Sequence, residues 1–156
     1  INFIGCEPYI NGVATLLSEI ERHSINNIRI FNDDVRLLLK KLRRSSIDKI
    51  FLLFNDPWPK KRHNSRRLIC SETLDELSKI MANGSQILVA SDDMNLIRSI
   101  LNLFYCHHNF FWLANNPDDW KKRYSDSIAT RYENKAISAG KDCIYLSFTH
   151  KKKNYI

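Results

Sequence analysis

Ile50-Phe51-Leu52-Leu53-Phe54 runs without interruption into Asn55-Asp56-Pro57-Trp58-Pro59. Five apolar residues in a row, with no polar alternation, predict a strand covered on both faces. Pro57 and Pro59 stop it, because proline donates nothing to a sheet ladder and fixes its own φ. Doubly covered strands belong to parallel sheets, whose strands are joined by helical crossovers. The rest of the chain supplies that alternation. Before the stretch, Ile1–Cys6 reads as a strand, 11–23 as an amphipathic helix through Val13, Leu16, Leu17 and Ile20, Asn27–Phe31 as a strand, and Val35–Leu42 as a helix. After it come a helix over 68–81, a strand over 86–90, a helix to about Tyr105, a strand over 109–113, a helix over 128–139 and a strand over 142–149. Asn83-Gly84-Ser85 is expected to cap and end the helix before it, and Ser91 to cap the helix after it. The fold class is therefore α/β, a mostly parallel sheet with helices on both faces.

Length and composition bound the function. The 156 residues suit a single domain, read as 1–156, and 44% hydrophobic with 26% charged residues excludes a disordered tail. No apolar run approaches a membrane span and no signal-peptide pattern opens the chain, so no membrane partner is expected. The four scattered cysteines (Cys6, Cys70, Cys106, Cys143) suit free thiols in the cytoplasm. Cys106-His107-His108 is too tightly spaced to chelate one ion, and no metal is expected. The formal net charge of +7 points to a polyanionic partner. With only four glycines, no two of them adjacent enough for Gly-x-Gly, the chain holds no Gly-rich nucleotide loop of its own.

Ligands of such sheets gather at the C-terminal strand ends. Four of those ends carry an acid: Glu7, Asp33, Asp56 and Asp92. Each can favour the start of the following helix, or hold the hydroxyls of a bound ribose. After Asp56, Trp58 sits between two prolines, a rigid aromatic suited to stacking on a base. Lys60-Lys61-Arg62-His63-Asn64-Ser65-Arg66-Arg67 follows, five of its eight residues basic and spaced to grip phosphates. A second basic patch, Lys121-Lys122-Arg123, follows Trp120, and reads equally as a solvated loop.

These residues resemble the bacterial tRNA (guanine-N7-)-methyltransferase family. The resemblance rests on Asp56-Pro57-Trp58-Pro59-Lys60-Lys61-Arg62-His63, on Thr130-Arg131-Tyr132-Glu133-Asn134-Lys135-Ala136 and on Ile4-Gly5-Cys6-Glu7-Pro8-Tyr9, and it runs in order through the chain. It implies a Rossmann-like class I methyltransferase sheet, S-adenosylmethionine as cofactor, and the variable-loop guanine of tRNA as substrate. It further implies that Glu7 holds the cofactor's ribose, that Asp33 lies by its adenine, and that Asp56 lies near the methyl donor. Asp92, with Asp56, is the expected catalytic acid. Lys60, Asp92, Thr130 and Glu133 are the expected substrate contacts, and Arg62, His63, Asn64, Ser65, Arg66 and Arg67 the expected RNA contacts. Asn55 stands where the family commonly has proline. The family's first strand and Gly-rich loop are expected to precede Ile1, and the chain to act as a monomer or weak homodimer.

The chemistry suits such a site. Guanine N7 offers a lone pair and no proton, so its attack needs alignment and electrostatic support rather than a general base. Methylation leaves the purine cationic, and a carboxylate by its N–H edge would stabilise that charge. Two other readings remain on the sequence: a methyltransferase for another nucleic-acid base, since Asn55-Asp56-Pro57-Trp58 distantly resembles the Asn-Pro-Pro-aromatic loop of amino-group methyltransferases, and a non-catalytic RNA-binding remnant.

Overall fold

The computed structural model describes residues 1–125 and 127–152, with the backbone alone for Lys61. The chain divides into two compact units, Ile1–Leu42 and Arg43–Ile156.

In the first unit, β1 (Phe3–Cys6) and β2 (Ile28–Phe31) pair in parallel, with Cys6 opposite Phe31. Helix α1 (Ile10–Arg22) makes the crossover, and α2 (Val35–Leu39) follows β2. Val13 and Leu39 are buried, whereas Phe3, Ile4, Tyr9, Ile10, Leu17 and Leu37 are exposed. The helix over 11–23 is as the periodicity predicts; the one predicted over Val35–Leu42 ends at Leu39.

The second unit holds a four-stranded sheet in the order β3-β4-β6-β5, from β3 (Ile47–Leu53), β4 (Met81–Ser91), β5 (Phe110–Trp112) and β6 (Ile144–His150). β3 and β4 are parallel, joined through α3 (Ser71–Ile80), while β6 runs antiparallel to both β4 and β5. Helices α4 (Met94–Cys106) and α5 (Arg131–Ser138) complete it. Its core is a stack of Phe104 on Phe148, with centroids 4.1 Å apart, set among Ile87, Val89, Leu96, Ile100 and Leu146, all 1% exposed or less.

Three local expectations are corrected. Ile50–Phe54 does not form a strand covered on both faces: among the described residues β3 lies at the edge of its sheet, and Phe51 is 41% exposed. The doubly covered strand is β4, where the consecutive residues Ile87, Leu88, Val89 and Ala90, alternating between the two faces, are all buried. Asn83-Gly84-Ser85 does not cap α3, because the helix stops at Ile80 and Met81 is already extended. Those residues form an irregularity within β4, where Gly84 takes φ +82° and the Ser85 hydroxyl donates to the Ala82 carbonyl at 2.6 Å. Only glycine adopts that left-handed backbone without strain. Ser91 does not cap α4; its hydroxyl accepts from the Asp93 amide at 3.1 Å, and Asp93 is the cap.

Candidate active site

The C-terminal ends of β3 and β4 lie side by side, with Leu53 opposite Ala90 and the Phe54 amide donating to the Ala90 carbonyl at 2.7 Å. Asp56 and Asp92 therefore leave from adjacent strand ends. Phe54 and Trp58 both take positive φ, +54° and +45°. Bulky residues in the left-handed region are strained, and such strain collects at functional sites. The Asp56 loop is thus bent twice within five residues.

The basic run holds that bend. It forms a 3-10 helix over Lys61–Arg66, which returns the chain across the loop. The Arg66 guanidinium sits 4.9 Å over the Trp58 ring, and His63 meets the same ring edge-on at 5.8 Å. Arg67 Nε donates to the Pro57 carbonyl at 3.0 Å. The expected RNA contacts thus divide into two groups. His63, Arg66 and Arg67 brace Trp58 and Pro57, Arg66 from an exposed position, while Arg62, Asn64 and Ser65 are exposed on the same segment.

Asn55 Oδ1 is buried and has no hydrogen-bond partner among the described residues. An orphaned buried acceptor costs about 1–3 kcal/mol. A ligand N–H donor, such as the amine of S-adenosylmethionine or the N–H edge of a purine, would satisfy it. The residues present at this strand end therefore fit a donor-bearing cofactor or base.

At the end of β4, the doublet Asp92-Asp93 divides its work. Asp93 Oδ1 accepts from the Leu96 amide at 2.7 Å, closing the first turn of α4. Asp92 Oδ2 accepts instead from Lys141 Nζ at 2.5 Å, across 49 residues of sequence. The carboxylate raises the Lys141 ammonium above the ordinary lysine value, chiefly through that hydrogen bond. Asp33-Asp34 repeats the pattern in the first unit. Asp34 accepts from the Arg36 amide at 2.9 Å and caps α2, and Arg36 holds its carboxyl below the usual carboxylate range. Asp33 accepts from the Asp34 amide at 2.6 Å and is exposed. In both doublets the helix-capping role falls to the second acid.

Glu7 also lies on the first unit, its amide donating to the Phe31 carbonyl at 3.1 Å and its carboxylate accepting from the Tyr9 amide at 2.8 Å. A Cβ added at Gly12 would come within 3.2 Å of Glu7 Cγ, so the missing side chain there lets the acid lie over the start of α1.

Thr130 and Glu133 form a reciprocal capping box on α5: the Thr130 hydroxyl accepts from the Glu133 amide at 3.0 Å, and Glu133 Oε2 from the Thr130 amide at 3.4 Å. The Glu133 side chain, 3% exposed, further accepts at Oε1 from Arg123 Nε at 2.9 Å and from the Tyr145 hydroxyl at 2.6 Å. Burial, and then this carboxylate, push the Tyr145 phenol well above its ordinary value. Tyr124 reaches the Val89 and Leu146 carbonyls at 2.7 and 2.8 Å, fastening the segment to β4 and β6. A narrow cleft places Thr130 and Glu133 beside Leu53, Phe54 and Ala90, so the late segment meets the strand ends of β3 and β4. A roomier open pocket of about 410 Å³, between Lys49, Gln86, Trp112 and Ser147, holds none of the expected site residues.

Sequence reading misses Tyr145 and Lys141, and places Arg123 in a basic patch where the structure pairs it with Glu133. The Thr-x-x-Glu spacing of Thr130 and Glu133 is the one signal that could mark the anchor, since it is a capping-box pattern.

A family described as "Putative methyltransferase" matches residues 1–146. The chain belongs to this methyltransferase family. Among the relatives it resembles are the tRNA (guanine-N(7)-)-methyltransferases of Roseobacter denitrificans, 45% identical over 95% of this chain and 63% of that protein, and of Rhodospirillum rubrum, 40% identical over 98% and 60%. The chain thus spans about three fifths of the length of these relatives. The expected family resemblance is borne out. Among solved structures, an rRNA methylase from Streptococcus thermophilus superposes with a TM-score of 0.62 at 10% identity, covering 97% of this chain and 74% of that one. The N-methyltransferase NodS of Bradyrhizobium japonicum, in complex with S-adenosyl-L-homocysteine, gives 0.58 at 11% identity, covering 97% and 67%. The expected class I, Rossmann-like methyltransferase fold is borne out.

Proposed function

We propose that this chain serves tRNA (guanine-N7-) methylation in the cytoplasm, as a monomer or weak homodimer. The observation that carries the reading is the 45% identity to an enzyme of that name across 95% of the chain. It is supported by the strained Asp56 loop beside the Asp92 strand end. S-adenosylmethionine, when bound, supplies an electrophilic methyl whose S–CH3 bond breaks as guanine N7 forms the new N–CH3 bond. The family resemblance assigns Glu7 to the cofactor's ribose hydroxyls, Asp33 to its adenine and Asp56 to the methyl donor. Asn55 offers its buried Oδ1 to a polar N–H of the donor. Asp92 faces the guanine's N–H edge and stabilises the positive charge that methylation places on the purine. Glu133 is not assigned that role, because its carboxylate is already occupied by Arg123 and Tyr145. Lys60 and Thr130 flank the base, and Arg62, Asn64 and Ser65 follow the RNA backbone.

The test is incubation with tRNA and S-adenosylmethionine, followed by mapping of the methylated atom. Transfer to N7 of a tRNA guanine is expected. Transfer to another base atom, or tRNA binding without transfer, overturns the reading. The basic run gives a second test. Arg62→Ala should lower the slope of log affinity against log salt by about 0.7–0.9, the value of one phosphate contact. Arg66→Ala should instead lower the methylation rate through a released Trp58, and equal salt slopes for the two variants would refute the division of this segment.

A further inference from the structure

Lys141 follows helix α5 in the turn that leads to β6. Gly140 takes φ +71° there, and the Lys141 amide returns to the Ala136 carbonyl at 3.1 Å. This closes the C-terminus of α5 in the manner of a Schellman turn, so the backbone of Lys141 is fixed by the helix before it. The other end of α5 is fixed as well, through the Thr130–Glu133 capping box and the buried Glu133 bonds to Arg123 and Tyr145. From this doubly held helix, Lys141 Nζ reaches Asp92 Oδ2 at 2.5 Å. Nothing local forces Asp92 into that position, since the helix-cap role beside it is taken by Asp93.

We infer that Lys141 is a positioning residue for Asp92, and that α5, anchored by Glu133, delivers it. This rests on the reading of Asp92 as the carboxylate that supports the purine's developing charge. A single lysine bond restrains one carboxylate oxygen and leaves the other to face the base. The late Thr130–Ala136 segment therefore acts on the reaction through Asp92 as well as through direct contact. An arginine at 141 could make the same bond, whereas a methionine fills the space without a donor.

Two measurements test this. The first follows the Lys141 13Cε resonance against pH in the 156-residue chain. Its midpoint should lie above the ordinary lysine value and fall back in Asp92→Asn; a midpoint unmoved by Asp92→Asn overturns the inference. The second is steady-state methylation of tRNA. Lys141→Met should lower kcat about tenfold with KM for tRNA within twofold, Lys141→Arg should recover most of the loss, and Lys141→Met should add nothing to Asp92→Asn. Additive losses in the double variant, or no recovery with arginine, overturn it. If the wild-type chain transfers no methyl, the functional reading fails alone, and the titration still decides whether Lys141 holds Asp92.

Discussion

Asn32-Asp33-Asp34 and Ser91-Asp92-Asp93 end strands in different units and solve the same local problem. Each must start a helix directly after a parallel strand, and each uses its second aspartate as the cap. The first aspartate differs. Asp33 stays exposed and accepts from its neighbour's amide, while Asp92 is half-buried and tied to Lys141. An acidic doublet at a strand end therefore separates two functions that one acid would have to share: one carboxylate builds the helix and the other remains for a ligand. How firmly that second carboxylate is held depends on what the rest of the unit brings to it.

The strongest way to break this comparison is to neutralise the first acid of each doublet. Removing a group that stabilises charge in the transition state costs on the order of 10²-fold in rate. Asp92→Asn should lose roughly that much in kcat, with tRNA affinity nearly unchanged. Asp33→Asn should leave kcat close to wild type and raise KM for S-adenosylmethionine, because an exposed ribose- or adenine-side acid contributes to binding alone. Parallel steady-state assays decide it, and equal kcat losses would show that the two acids do not differ in role.

A second measurement sharpens the contrast through pH. In the second unit His150 is fully buried, with Nδ1 donating to the Ala82 carbonyl at 3.0 Å and Nε2 accepting from the Ser78 hydroxyl at 3.0 Å. Asn109 Nδ2 in turn donates to the Ser78 hydroxyl at 2.9 Å. Desolvation pushes the His150 pKa below its ordinary value, and does the same to His107. A histidine whose folded pKa is depressed stabilises the fold above its unfolded pKa, about 6.5, and loses that stability as pH falls toward the folded value. The first unit's shifted carboxyl, Asp34, has its pKa lowered and loses its contribution only near and below about 4. Hydrogen exchange between pH 7.5 and 5.5 should therefore weaken amide protection in β4 and β6 while leaving β1 and β2 unaffected. His150→Gln should flatten the difference; protection that falls equally in both units would remove His150 as its cause.

The alternation of strands and helices was legible in the sequence because each element carries its own periodicity, and Val13 needs no distant partner to be recognised as inward-facing. The burial of β3 was not legible. An apolar run such as Ile50–Phe54 states that a strand can be covered, but only the sheet order decides whether it has two neighbours or one. The four strand-end acids were visible for the same local reason as the helices. What they bond to was not, because Lys141 meets Asp92 across 49 residues and Tyr145 meets Glu133 through the pairing of β6. Glu133 shows the limit most plainly. Its motif marks it as a site residue, and only the fold shows a buried carboxylate already committed to an arginine and a tyrosine.

The smallest effects test whether the second acids are caps and nothing more. Replacing an aspartate N-cap by alanine costs about 0.5–2 kcal/mol. Asp93→Ala opens a thirteen-residue helix whose Leu96, Ile97, Ile100 and Phe104 are buried, so its cost should sit near the middle of that range, about 1 kcal/mol. Asp34→Ala opens a five-residue helix with one buried side chain and an exposed cap, and should cost no more than about 0.5 kcal/mol. Urea unfolding followed by separate probes in the two units measures both. Asp93→Ala should also keep most of the methylation rate that Asp92→Asn loses, although the residues are adjacent. A rate loss in Asp93→Ala as large as in Asp92→Asn would mean that the cap itself places Asp92, and the separation of functions within the doublet would no longer hold.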